Sequence, residues 1–230
     1  MSEKQPEWNL LKDGVPPDLK KGEYLGKGDS KEVWKTNYPD ILLAEIFDKK
    51  IKSELKILEH VRVAVEKNKA DFPLQIPITS LESGKTAFIT KNYGITLKNI
   101  EKFTTTKTHL INFLINQIRL SGNRGISNDN HLGNITFDNI NGLRLIDINF
   151  SLFASIDDMF EDIRRLNDTI KENEKWLFDT MKTNQYICKL CQIEISLVSP
   201  LERQEVIQFL EQLLEEEKEK ESSEKRSFGE

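Results

Sequence analysis

Apolar residues change their spacing along this chain near Gly94. Before that point they come in short runs broken by turn residues, and after it they fall mostly at helical spacing. From Glu23, EYLGKGDSKEVWKT places apolar residues on both sides of a glycine turn and predicts strand, turn and strand. NYPD signals another turn, so ILLAEIF is a short buried strand. In KKIKSELKILEHVRVAVEK, Ile51, Leu55, Leu58, Val61 and Val65 lie near the spacing of one amphipathic helix. PLQIPI and TAFITKNY add strands before a loop at Gly94. Leu110, Phe113, Leu114, Gln117 and Ile118 then trace a helix that stops near Ser121-Gly122-Asn123. NITFD and LRLIDI, joined through Asn141-Gly142, predict a hairpin with a type I′ turn. DDMFEDIRRLNDTI, the stretch around EKWLFDTM, and RQEVIQFLEQLLEEEKEKE are expected to be helical. The last twenty residues become acidic and serine-containing and are expected to fray. The chain thus divides into an irregular lead-in (1–21), a strand-rich part (22–92), a helical part (93–210) and an acidic helix end or tail (211–230).

Composition narrows this to a soluble protein. A chain of 230 residues can bury a core as one two-lobed domain or two small ones, without metals or disulfides to hold it. With 37% apolar and 31% charged residues, it fits neither the disordered nor the membrane class. Its longest apolar runs are too short or too polar to span a bilayer. A formal charge of −5 gives no reason to expect nucleic-acid binding. The opening MSEKQPEWNLLKDG lacks a secretory pattern, which points to the cytoplasm, or to delivery into a host cytoplasm by machinery reading other signals. Cys188 and Cys191 have no second ligand pair nearby, so they read as helix packing in a reducing compartment rather than a zinc site. His60 and His109 are expected at helix surfaces or ends.

The densest chemistry lies in SNDNHLGN, residues 127–134. Asp129 precedes Asn134 by five positions, and Asp147 follows Asn134 by thirteen, at the end of the second hairpin strand. A loop acid, an amide at the head of one strand and an acid at the end of its neighbour can converge on one small volume. Such a set offers hard oxygen ligands for a magnesium nucleotide and leaves one carboxylate for the nucleophile. Upstream, Gly26-Lys27-Gly28 can form a turn whose backbone amides approach phosphate oxygens, because no β-carbon stands in the way.

In this order the motifs resemble those of the protein-kinase-like superfamily, over roughly residues 20 to 170. The resemblance implies an α+β, two-lobed fold with a strand-rich N-lobe and a reduced helical C-lobe, binding ATP and Mg²⁺ between the lobes. It implies Asp129 as the catalytic acid, Asn134 and Asp147 as metal ligands, and Glu54 as the helix glutamate that pairs with a phosphate-holding lysine. Val33 and Ala44 match the residues that roof the adenine, and KNYG, containing Lys91 and Tyr93, falls at the connector between lobes. Asp162 resembles the acid that supports the catalytic loop from below.

Several positions depart from the family pattern. Where a Val-Ala-x-Lys strand motif is expected the chain reads LLAEIF, with no lysine. Lys31, in GKGDSKEVW, resembles the glycine-loop lysine of the with-no-lysine kinases and is the expected partner of Glu54, ahead of Lys35 or Lys49. Ser127 stands two residues before Asp129 where a histidine is usual, and Asn149 replaces the glycine after the metal-binding acid. His131 makes the loop similar to the Asp-x-His-x-Gly-Asn loop of aminoglycoside and choline kinases. Only fourteen residues separate Asp147 from Asp162, too few for a phosphorylated activation segment, a brevity that resembles minimal kinases delivered by bacteria into host cells. The function implied is Mg-ATP-dependent phosphorylation of a protein serine or threonine. The alternatives are phosphotransfer to a small molecule, or a nucleotide-binding pseudokinase that serves as an interaction module.

Overall fold

The computed structural model describes residues 14–73, 75–79, 84–100, 105–121, 127–128, 133–146, 148–149, 172–173, 175–177, 179 and 200–227. Over these residues the chain is mixed α/β and divides into two compact units, Met1–Arg62 with Pro73–Tyr93, and Val63–Phe72 with Gly94–Glu230.

The first unit is a five-stranded antiparallel sheet in the order β1-β2-β3-β5-β4. Its strands are β1 (Lys21–Lys27), β2 (Lys31–Thr36), β3 (Ile41–Ile46), β4 (Gln75–Thr79) and β5 (Thr86–Lys91). The β1–β2 turn is tight, with the Gly28 amide donating to the Lys31 carbonyl at 2.9 Å. Beyond the turn, the Phe47 amide donates to the Ser30 carbonyl at 2.9 Å, which pins the loop tip to the end of β3. The NYPD turn is closed by the Thr36 hydroxyl, which donates to the Ile41 carbonyl at 2.9 Å. β3 is central and the most buried strand, while β4 lies at the edge, where Pro77 costs no ladder bond that the sheet needs. One face of the sheet carries an apolar cluster of Ile41, Leu43, Ala87 and Ile89, packed by Leu19, Trp34, Tyr38, Ile76 and Ile78.

Helix α1 (Ile51–Asn68) follows a 3₁₀ turn at Asp48–Lys50. Of the expected stripe Val61 is buried and Ile51, Leu58 and Val65 are half-buried, but Leu55 is 41% exposed and Glu54 is buried beside it. The charged Glu54 takes the inward position because a lysine from β2 meets it there.

The second unit is built on helix α2 (Lys107–Ser121). Thr106 caps it, its hydroxyl accepting the His109 amide at 3.2 Å. Leu110, Phe113, Leu114, Gln117 and Ile118 are all at most 1% exposed, and Ile111, Ile115 and Leu120 are buried as well, so the helix is covered almost all round. Asn116 grips the segment after α1 by both backbone groups of one residue. Its Oδ1 accepts the Asp71 amide and its Nδ2 donates to the Asp71 carbonyl at 2.6 Å. Arg144 adds an ion pair to Asp71 at 3.1 Å.

Two short strands, β6 (Ser127–Asn128) and β9 (Ile148–Asn149), pair with each other, as do β7 (Ile135–Asp138) and β8 (Gly142–Leu145). The β7–β8 hairpin departs from the expected type I′ turn. Asp138 pairs with Gly142 across a three-residue loop, and only Gly142, at φ +74°, is left-handed there. The Asp138 carboxylate accepts the amides of Ile140 and Asn141 at 2.8 and 2.7 Å, so a side chain closes the loop. The His109 ring lies so close to Gly142 that an added Cβ would meet it at 2.6 Å.

The C-terminal helix α3 (Pro200–Ser227) runs through residues expected to fray. It persists because Leu210, Leu213, Leu214 and Glu217 are buried, and because Lys107 pairs with Glu217 and Thr108 donates to Glu221. Among the described residues no helix is long and apolar enough to cross a membrane. The expected helix over DDMFEDIRRLNDTI and the pair Cys188 and Cys191 lie outside the described residues.

Candidate functional site

Strand alternation decides which side chains meet on the sheet. Val33 stands directly opposite Ala44, and Lys31 opposite Ile46, so these four share one face. On the same face, β5 places Phe88 opposite Ala44 and Thr90 opposite Leu42. Gly26 pairs with Val33, beside an irregularity in the β1–β2 ladder.

Lys31 crosses from this face to helix α1, where its Nζ lies 3.6 Å from Glu54 Oε2. Both side chains are largely withdrawn from water, at 14% and 8% exposure. Glu54 sits in the first turn of α1, where the helix dipole favours a carboxylate. Ile46, the residue opposite Lys31, carries no charge, so the ammonium that meets Glu54 comes from β2 and not from β3. Lys35 lies further along β2 and pairs instead with Glu23 at 2.6 Å, with both side chains exposed.

The glycines of the turn leave room around them. An added Cβ would meet nothing within 4 Å at Gly26, and at Gly28 only the Lys31 carbonyl at 3.9 Å. Neither has a left-handed backbone. The folded chain itself therefore does not require glycine at position 28, whereas a ligand approaching the backbone there would.

Lys91 and Tyr93 are placed differently from Val33 and Ala44. Lys91 stands opposite Ile41, on the sheet face away from Ala44, and its side chain is exposed. Tyr93 is half-buried in the connector, next to Asn92, whose amide donates to the Asp40 carbonyl at 2.8 Å. Sequence reasoning missed Phe88 and Thr90. The two-residue period of TAFITK, counted from the partner of Ala44, is the signal that finds them. The Thr90 hydroxyl is buried with no hydrogen-bond partner among the described residues.

In the second unit Asn134 is 9% exposed at the head of β7, and its carbonyl accepts the Ile146 amide at 2.8 Å. That bond joins the residue before β7 to the residue after β8, one position short of Asp147. Asp129, His131, Asp147 and Asp162 lie outside the described residues, and Ser127 and Asn149 are placed only as paired strand residues.

Two titrations near the hairpin have clear physical causes. Burial pushes the His109 imidazole below its ordinary value, against the opposing pull of Glu221 and Asp138. Burial would raise the Asp138 carboxyl, but hydrogen bonds from Asn141 and Ile140 and the nearby Arg144 together hold it below the usual carboxylate value. Both groups serve the hairpin and the start of α2 rather than the Lys31 face.

Compared with models of known protein families and with curated proteins, the chain matches none.

Proposed function

We propose that this chain is a two-lobed, protein-kinase-like phosphotransferase, which moves a phosphoryl group from magnesium-bound ATP to the hydroxyl of a protein serine or threonine. The observation that carries the reading is the withdrawn Lys31–Glu54 pair, formed by a lysine just after a glycine turn and a glutamate in the first turn of a helix. Lys31 would neutralise phosphate oxygens while Glu54 fixes its ammonium, and a charge so positioned needs no reorganisation during transfer. Val33 and Ala44 share one face and offer apolar cover for a base, with the fully buried Phe88 opposite Ala44. The open surroundings of Gly26 and Gly28 suit a backbone that phosphates approach closely. Lys91 would contribute through its backbone, since its side chain lies on the other face.

Mg-ATP, when bound, supplies the phosphoryl group and the cation that offsets the charge of phosphates and carboxylates together. Asn134 and Asp147 would hold that cation. Asp129 would orient the acceptor hydroxyl and take its proton, so that most of the rate comes from positioning. The short span from Asp147 to Asp162 leaves no room for control by a phosphorylated activation segment. His131, within the catalytic loop, favours a small alcohol as the second reading of the acceptor.

Incubation with labelled ATP and magnesium, against a panel of proteins and small alcohols, tests this. Wild type is expected to label a protein acceptor, and Asp129→Asn to lose about a hundredfold or more in rate. Lys31→Met should impair transfer far more than Lys35→Met, whose exposed pair lies elsewhere. Equal transfer by wild type and Asp129→Asn would sink the assignment. Labelling of small alcohols alone moves the acceptor to the second reading. Nucleotide-dependent thermal stabilisation without any transfer would leave a binding module instead.

A further inference from the structure

Strand β2 is held by charge on both of its faces. On one, Lys31 reaches Glu54. On the other, Lys21 of β1 brings its Nζ to 2.9 Å from Glu45 Oε2 in β3 and 3.8 Å from the centroid of the Trp34 ring in β2. The strand order is β1-β2-β3, so the Lys21 side chain bridges the outer two over the ring of the middle one. Tyr24 packs edge-on against the same ring at 4.8 Å between centroids. The Glu45 side chain is only 5% exposed, and that of Lys21 is 19% exposed.

This contact falls where the sheet is least well specified. The β1–β2 ladder shifts register twice, between Lys21 and Tyr24 and between Tyr24 and Gly26, so its hydrogen bonds alone define the alignment poorly. Across β2 and β3, moreover, Glu32 stands directly opposite Glu45, and like charges facing each other oppose that pairing. Each carboxylate has a lysine beside it, Glu32 with Lys27 at 3.6 Å and Glu45 with Lys21. A slip of β2 by one residue would send every side chain to the other face, and Lys31 away from Glu54.

We infer that Lys21 is a positioning residue: seated between the Trp34 ring and Glu45, it locks the register of β1, β2 and β3 that presents Lys31 to Glu54. The consequence for catalysis rests on the phosphotransferase reading, but the lock itself does not. Without it, Lys31 is released to solvent while the sheet persists.

The test is the rate at which an amine-reactive acetyl ester labels Lys31 in the full chain, read by mass spectrometry against the exposed Lys85 as internal reference. Lys21→Met is expected to raise the Lys31-to-Lys85 ratio about threefold or more, as local opening grows. Lys21→Arg, which keeps the charge and can stack on Trp34, should return it to the wild-type value. Should Lys21→Met unfold the chain, Glu45→Gln takes its place under the same criteria, since it removes the charge and keeps the shape. An unchanged ratio in the folded variant, or an arginine variant as reactive as the methionine one, overturns the proposal. If wild type transfers phosphate, Lys21→Met should also lower kcat/KM for ATP about a hundredfold, the scale of a small misplacement. A wild type that transfers nothing sinks the phosphotransferase reading and leaves the labelling result standing.

Discussion

Among the described residues of the sheet unit, the buried polar side chains are both carboxylates, Glu45 and Glu54, each beside a lysine. Among the described residues of the helical unit the buried polar side chains are mostly neutral, Thr105, Thr108, Asn116, Gln117, Asn134 and Thr136, with Glu217 the charged exception. A neutral group such as Asn116 is satisfied by nearby backbone, and its energy is local. A buried carboxylate needs a cation beside it to offset its lost hydration, so part of its energy belongs to the pair. The sheet unit therefore couples β1, β2, β3 and α1 through buried charge pairs, whereas the described core of the helical unit is apolar or neutral but for Glu217, which pairs with Lys107.

Three measurements can break or sharpen that contrast. Phe113→Ala, in the most enclosed part of α2, should have the largest effect, about 4 kcal/mol of unfolding free energy by denaturant titration. That loss should not change with salt; a strong salt dependence would show that charge also supports the helical unit. Glu54→Ala should lower stability by about 3 kcal/mol by removing the carboxylate that meets Lys31, and adding Lys31→Ala should recover part of it. Purely additive losses would show that the two residues do not act as a pair. The smallest effect is a pH slope at His109. Its folded value is depressed by burial, so its stabilising contribution is complete above the ordinary value of 6.5 and is lost as pH falls from there through the folded value. His109→Gln should flatten the fall in melting temperature between about pH 7.5 and 5, and an unaltered slope would remove His109 as its cause.

Much of the sheet unit is legible in the sequence because its signals are local. Gly26 to Gly28 mark a turn, alternation marks the strands on either side, and the lack of a lysine after Ala44 directs attention to Lys31. Long-range packing is what misled elsewhere. Leu55 fits the helical stripe yet is 41% exposed, while Glu54, the expected partner of Lys31, takes an inward position beside it. Residues 211–230 read as a fraying end, yet Leu213, Leu214 and Glu217 find cover that no local pattern reveals. Asn141-Gly142 suggested a two-residue turn, but the Asp138 carboxylate made a three-residue loop cheaper to close. Asp129, Asp147 and His131 carry the strongest sequence motif, and they lie outside the described residues. For the site, then, the described geometry concerns the lysine, the glutamate and the apolar face, and the acids remain a reading of spacing.

The grip of Asn116 on Asp71 has a consequence for how the chain exchanges its protons with water. Asp71 itself is exposed and lies in a connector, the setting in which amide hydrogens ordinarily trade with solvent fastest. Its N–H, however, is donated to a side chain that is only 8% exposed, on a helix covered almost all round. That single loop amide should stay deuterium-resistant for as long as the interior of α2 does, and open only when the helical unit opens.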